Sequence, residues 1–262
     1  MLPTYRATRV LAADTRGSSW PVRAETENGV CFTKLRGAGH GVAAPVAEII
    51  VARLAEAIGL NVPPMALVTL DAGVETLDRR DELADLLQAS HGLNLGFRYL
   101  EGARDLRPDE TGLVDEETAS KIVWLDGLVL NPDRTPANPN LLWFGRQPWL
   151  IDHGASLRFH HNWAALTEQS IRQPHDPRIG HLLGLRAGLL TEVDQRLATE
   201  LGREVLEEVV ATVPADFLAA LPGPDPVKRR RAAYAAALWK RLKSPRPFVP
   251  GGSSPLDPNP GL

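Results

Sequence analysis

Residues 5–14 mix apolar, β-branched and aromatic side chains with polar ones, which predicts a strand, and Thr15-Arg16-Gly17-Ser18-Ser19 follows as a turn. Residues 21–25 and 30–35 flank Glu27-Asn28-Gly29. Asn-Gly between two such runs predicts a hairpin, because both residues tolerate positive φ. After a glycine-rich stretch at 36–41, Val46, Ile49, Ile50, Leu54, Ala57 and Ile58 recur at helical spacing and predict a helix over 44–58, with Gly59 closing it. Residues 65–70 and 93–100 read as apolar strands and 79–88 as a helix. A strongly apolar helix covers 116–130, a polar, proline-rich loop covers 131–140, and 141–144 with 149–151 form a hairpin around Gly145-Arg146. Helices are then expected at 180–185, 191–199, 203–210, 215–221 and 227–242. The stretch 244–262 is rich in Pro, Gly and Ser and reads as disordered.

This order predicts an α+β protein: a strand-rich part over residues 1–102, a helical part over 103–243, and a tail over 244–262. The two parts leave a cleft in which a ligand can sit. Composition adds little. The 262 residues are 44% hydrophobic and 23% charged, and the net charge of -3 gives no reason to expect a polyanion partner. One cysteine, Cys31, rules out an intrachain disulfide and reads as a buried thiol. No apolar run reaches the ~20 residues of a membrane span, and the N-terminus lacks the pattern of a signal peptide, so a cytoplasmic protein is expected. The basic run Lys228-Arg229-Arg230-Arg231, with Lys240, Arg241, Lys243 and Arg246, reads as the outer face of a docked helix rather than a nucleic-acid or lipid patch.

The chemistry concentrates in Asn131-Pro132-Asp133-Arg134-Thr135-Pro136-Ala137-Asn138-Pro139-Asn140 and, about a dozen residues on, Leu150-Ile151-Asp152-His153-Gly154. A loop carboxylate, an amide five residues later and a second carboxylate at a strand end are what phosphoryl transfer requires: one group to take the proton of an attacking hydroxyl, two to hold magnesium against phosphates. Taken singly, Asp and Asn in a proline-containing loop are common turn formers. Lys34, near the end of an apolar strand, and Glu48, early in the next helix, add a phosphate-facing cation and its partner. Read alone, they are a solvated edge lysine and an acid favoured by the helix dipole. His153, His160 and His161 do not have zinc-site spacing; His153 is placed to orient Asp152.

The 131–142 loop and the 151–154 strand end resemble the catalytic and metal-binding loops of HipA-like kinases, a serine/threonine kinase family first known from toxin–antitoxin systems. They are also similar to the signatures of phosphatidylinositol kinases. The match departs at Thr135, where many relatives have His. The resemblance implies a bilobal protein-kinase-like fold and an ATP- and magnesium-dependent phosphotransferase. It makes Asp133 the catalytic base and Asn138 and Asp152 the magnesium ligands; Asn140 is a rival to Asn138, which has the spacing seen across kinase relatives. Lys34 and Glu48 serve ATP. Phosphate is cradled by Gly17-Ser18-Ser19, favoured by chain order, or by the 36–41 loop. Ser18 or Ser19 is a candidate for self-phosphorylation. Tyr99, Leu100 and Glu101 form the adenine-facing hinge, with Met65, Leu67 and Val68 as lining. The acceptor is a hydroxyl, by family a protein Ser or Thr, with a small molecule or lipid on the same fold, or a nucleotide-binding pseudokinase, as alternatives. The chain also starts close to the first strand of the expected lobe, so a regulatory or antitoxin-like partner supplying a further piece is conceivable.

Overall fold

The computed structural model describes residues 1–13, 20–39, 41–224 and 226–249. Asp14, the turn expected at 15–19 and most of the tail therefore lie outside the described residues. Strand β1 (Thr4–Ala13) runs beside β2 (Val22–Thr26), which turns into β3 (Gly29–Lys34). The hairpin forms at the expected place with a tighter register than the expected one: Thr26 pairs with Gly29, so Glu27 and Asn28 make the loop, and of the Asn-Gly pair only Gly29 has positive φ, at 103°. Thr26 Oγ1 closes the turn, donating to the Gly29 carbonyl at 2.8 Å and accepting from the Asn28 amide. Helix α1 (Ala43–Ala57), β4 (Met65–Leu70), the short β5 (Glu75–Thr76), α2 (Asp81–Ala89) and β6 (Gly92–Arg98) complete the first half.

The sheet order is β2-β3-β6-β4-β1-β5, and β1 pairs with β2 as well. The first residues of β1 run parallel to β4 while its later residues run antiparallel to β2, so five strands close on themselves. The ring buries Ala7, Val10, Val22, Ala24, Cys31 and Val68 with Leu83 and Leu87 of α2, and Cys31 is a buried free thiol. Gly96 has no side chain because β3 and β4 crowd it; a methyl there would lie 2.5 Å from Val68.

Helix α1 is buried almost all round, with Val46, Ile49, Ile50, Val51 and Leu54 fully covered. It ends as the sequence suggests. Gly59 (φ 73°) follows the C-cap, its amide bonds Glu56, and the Leu60 amide bonds Ala55, the paired bonds of a Schellman cap. The other face of α1 meets α3 (Glu116–Val129), α6 (Arg203–Ala211) and α7 (Ala215–Ala219), so one hydrophobic core runs from the sheet into the helical half.

A small sheet of β7 (Arg104–Asp105), β8 (Leu141–Phe144) and β9 (Gln147–Leu150) covers the front of that half. The remaining helices are the one-turn α4 (Glu168–Ile171), α5 (Leu190–Glu200), α6, α7 and α8 (Val227–Leu242). The helix expected at 180–185 is absent. Gly180 has positive φ, and only a 3-10 turn at Gly184–Arg186 forms, with Gly184 packed against the Arg178 carbonyl.

Half of the basic run of α8 bonds backbone carbonyls, while Lys228 and Arg229 stay exposed on the outer face of the helix. Arg231 donates to Ala211 and Val213 at the end of α6, and Arg230 to Leu218. Arg241 is buried and donates to Gly127, Leu128 and Ile171, capping α3 with a cation where the helix dipole is negative. Disorder from residue 244 onward does not hold as far as Val249. Arg246 forks onto Asp194 (2.5 and 2.8 Å), the His175 amide donates to Pro247, and Phe248 is fully buried edge-on to Trp124. No helix among the described residues is long and apolar enough to cross a membrane.

Two expectations follow from the packing. Phe248→Ala leaves a cavity against Trp124 and Gly127 and lowers stability by about 3–5 kcal/mol in chemical denaturation. His160 is buried between Tyr234 and His161, and burial, then His161, pushes its imidazole down to about 3. A histidine that stays neutral in the folded state takes up its proton only on unfolding, so stability falls as pH drops from about 6.5 towards about 3, by at most ~1.4 kcal/mol per pH unit for this group. His160→Phe flattens that slope, and denaturation midpoints across this range measure it.

Candidate active site

Lys34 ends β3, where it pairs with Leu95 of β6. The chain just beyond is pinned: buried Asn94 accepts from the Arg36 amide at 2.8 Å, and Ser90 accepts from the Gly37 amide. A methyl at Gly37 would lie 2.8 Å from Ala89, so this loop is pressed against the end of α2. The Lys34 side chain therefore starts from a fixed point. Its ammonium donates to Oε1 of Glu48, in the second turn of α1, and to Oδ1 of Asp152 at 2.6 Å. Burial alone would push the lysine down; the Glu48 and Asp152 carboxylates outweigh it and hold it above its ordinary value. Burial raises Glu48, and Lys34 only partly offsets this. Asp152 is lowered, since Lys34 outweighs its burial. The Glu48 side chain is fully buried, but that of Asp152 is 46% exposed, so Asp152 is the carboxylate open to a ligand. Gly154 permits the approach of α1: a methyl there would lie 3.1 Å from Ala44 Cβ.

Asp133 is brought to the same front by the 131–140 loop, whose Asn140 carbonyl accepts from the amide of Ile151, the residue before Asp152, at 3.2 Å. Asp133 Oδ2 accepts from Asn138 Nδ2 (2.9 Å) and Asn140 Nδ2 (3.1 Å). Oδ1 has no hydrogen-bond partner among the described residues and is the free acceptor. Both asparagines thus spend Nδ2 on Asp133, Asn138 from an exposed position and Asn140 from a buried one with φ 49°. Thr135, where the motif departs from its relatives, does local work: its hydroxyl accepts from the Asn138 amide.

Three residues that sequence reasoning passed over hold this loop. Asp126, inside apolar α3, accepts from Arg134 Nε (2.6 Å), His181 Nε2 (2.9 Å) and Asn131 Nδ2 (2.8 Å). Burial raises its pKa, but Arg134 and His181 hold the carboxyl well below the usual range. The Leu183 amide donates to His181 Nδ1, which leaves Nε2 as the donor to Asp126. Arg134, also buried, donates to the Asn140 carbonyl and lies 3.3 Å from His153 Nδ1. His153 therefore faces Arg134 rather than orienting Asp152. Burial and the guanidinium push its imidazole down to about 3. A charged residue within Trp124-Leu125-Asp126-Gly127-Leu128 is the signal that would have revealed this anchor. Four of the bulky or polar residues with positive φ, Leu130, Asn140, Asp152 and Leu157, flank these loops, and such strain concentrates where the surrounding structure over-determines it.

The remaining expected residues are more scattered. Tyr99 follows β6, but its amide donates to Val30 and its ring lies against Arg23, so its N–H is committed. Leu100 and Glu101 enter a turn closed by the Ala103 amide on the Leu100 carbonyl. Gly17, Ser18 and Ser19 lie outside the described residues. Among the described residues no three His, Cys, Asp or Glu side chains converge on one point. Asp152 with an asparagine Oδ1 is instead the sparse hard-oxygen set that fits magnesium, which keeps several waters and needs one or two carboxylates.

No curated protein matches the chain. Among solved structures, a Helicobacter pylori proinflammatory kinase, CtkA, aligns over 92% of this chain and 98% of its own at 9% identity, with a TM-score of 0.47, too slight a likeness to bear on the argument. The sequence itself is more telling: residues 7–230 match the family model of the HipA-like kinases. The chain belongs to the HipA-like kinase family.

Proposed function

We propose that this chain is an ATP-dependent kinase with a two-lobed kinase-like arrangement, passing the γ-phosphoryl group of ATP to a hydroxyl. The observation that carries the reading is the Lys34 ammonium held between Glu48 and Asp152, residues 14 and 118 positions away, beside a loop carboxylate fixed by two asparagine amides. Nothing in packing calls for a lysine there; a cation so fixed suits the phosphates of a nucleotide. Leu100 and Glu101 remain the proposed adenine-facing hinge, and Gly17-Ser18-Ser19 the proposed phosphate loop.

In this reading the acceptor oxygen forms its bond to the γ-phosphorus as the bond to the β–γ bridging oxygen breaks. The hydroxyl proton passes to Asp133 Oδ1 and ADP leaves. Asn138 and Asn140 hold Asp133 so that Oδ1 is the atom offered. Lys34 faces the phosphate charge, and Glu48 holds Lys34. Asp152 and Asn138, with Asn140 as the rival, would hold magnesium, whose chemistry is to neutralise charge on the phosphate oxygens. Catalysis on this plan is positioning and electrostatics with no covalent intermediate.

Asp133→Ala is expected to lower ATP turnover by about 10²–10⁴-fold while ATP still binds. Asp152→Ala removes magnesium-dependent nucleotide binding itself. Turnover assays with nucleotide titrations separate the two, and an Asp133→Ala protein with undiminished turnover refutes the assignment. Lys34→Met leaves Glu48 buried without its cation and costs roughly 3–5 kcal/mol in chemical denaturation. Adding Glu48→Gln restores most of that stability but not the turnover.

A further inference from the structure

After α8 the chain runs back along the 171–177 segment. Arg172 donates to the carbonyls of Lys240 and Pro245, and the His175 amide donates to Pro247. Phe248 and Pro177 meet over Gly127, where a methyl would lie 3.0 Å from each. Val249, the last described residue of this run, is buried. The segment it runs along is also a wall of a cavity of about 610 Å³: Ile171, Gln173, His175, Asp176 and Pro177 all line it. Residues 250–262 therefore start beside that cavity.

The charges of the cavity wall do not cancel. Asp126 is matched by Arg134, and Asp176 by a two-pronged contact with Arg178 (2.9 and 2.6 Å). His175 adds no charge near neutrality, since partial burial holds it below its ordinary value. Arg158 is exposed on the wall and makes no ion pair or hydrogen bond among the described residues. The lining also carries apolar surface, with Leu166 partly buried and Ile179 exposed. Residues 250–262, Pro-Gly-Gly-Ser-Ser-Pro-Leu-Asp-Pro-Asn-Pro-Gly-Leu, are the complement of this wall. Their single charged side chain is Asp257, and Leu256 beside it is apolar. Four prolines fix φ in advance, so seating such a segment costs less chain entropy than seating an ordinary loop. From Val249 to Asp257 the chain extends to roughly 28 Å, whereas a sphere of 610 Å³ is only ~10 Å across, so reach does not limit the contact.

We infer that this cavity is the docking site of the chain's own residues 250–262, with Asp257 on the Arg158 guanidinium and Leu256 against Leu166 and Ile179. Seated there, the segment keeps water from Asp126, Arg134 and His181, which also line the cavity, and hydrogen bonds among such groups strengthen as water is excluded. The network that ties the 131–140 loop to α3 is then sealed by a segment more than a hundred positions away in sequence. The docking involves no nucleotide and no phosphoryl transfer, so it stands or falls apart from the kinase reading.

The test is disulfide trapping in the full chain, on a Cys31→Ala background so that the introduced thiols are the only ones. Leu256→Cys is paired with Ile179→Cys on the cavity and, as the control, with Leu77→Cys, exposed beside β5. Oxidised glutathione drives the bridge, and intact mass with non-reducing electrophoresis follows it. A docked segment raises the local thiol concentration at Ile179→Cys, which should trap at least about tenfold faster than Leu77→Cys. Arg158→Glu should slow that trapping about fivefold, the upper range for an exposed ion pair. Asp257→Arg alone should slow it as much, and the two together should restore it, which a general disturbance of the fold would not do. Equal trapping at both positions, or trapping indifferent to Arg158→Glu, overturns the inference. So does a bridged dimer in place of the bridged monomer, since the cavity then holds the segment of a second copy.

Discussion

The ion pair between Asp126 and Arg134 is what the rest of the site hangs from. Both side chains are almost completely out of water, which is costly unless every polar atom finds a partner. Here nearly every one does. Asp126 receives Arg134, His181 and Asn131, and Arg134 spends its remaining donors on the Asn140 carbonyl and His153. The loop that bears Asp133 is thereby tied to the body of α3 at both its start and its end. Arg241 secures the same helix from behind by taking up the carbonyls of Gly127 and Leu128. The proposed base thus gets its position from charges that never meet a substrate.

Much of this was legible along the chain, for identifiable reasons. Helices α1 and α3 and strands β3, β4 and β6 are governed by local periodicity, and the Schellman cap at Gly59 is a local signal. Lys34, Asp133 and Asp152 stood out because each sits at a fixed place relative to an apolar element. That Glu48 is buried rather than exposed was not readable from the first turns of a helix. It depends on the helical half closing over α1, which is a tertiary event.

The misses share the same cause. Arg134 lay in plain view within the motif, but its partner Asp126 looked like one polar residue in an apolar helix, and His181 is 55 positions from it. The 244–249 stretch has the composition of a disordered tail, yet Phe248 and Arg246 are enough to fasten it. The helix expected at 180–185 failed because Gly180 and Gly184 were needed for a turn against Arg178. The α8 basic cluster was read as the charged outer face of a docked helix, and the helix does dock, but Arg230, Arg231 and Arg241 turn inward onto backbone carbonyls.

The continuous core on both sides of α1 has a consequence for how the molecule behaves as a whole. A helix packed on β4 and β6 on one face and on α3, α6 and α7 on the other joins the sheet to the helical half, while the inside of the strand ring keeps a cluster of its own. Exposing α1 therefore disturbs both halves at once, and a ligand that engages Lys34 and Asp152, which come from the two halves, stabilises that shared packing. By the same logic, neither half is a self-sufficient fragment: cut apart, each would carry one bare wall of the groove that α1 fills.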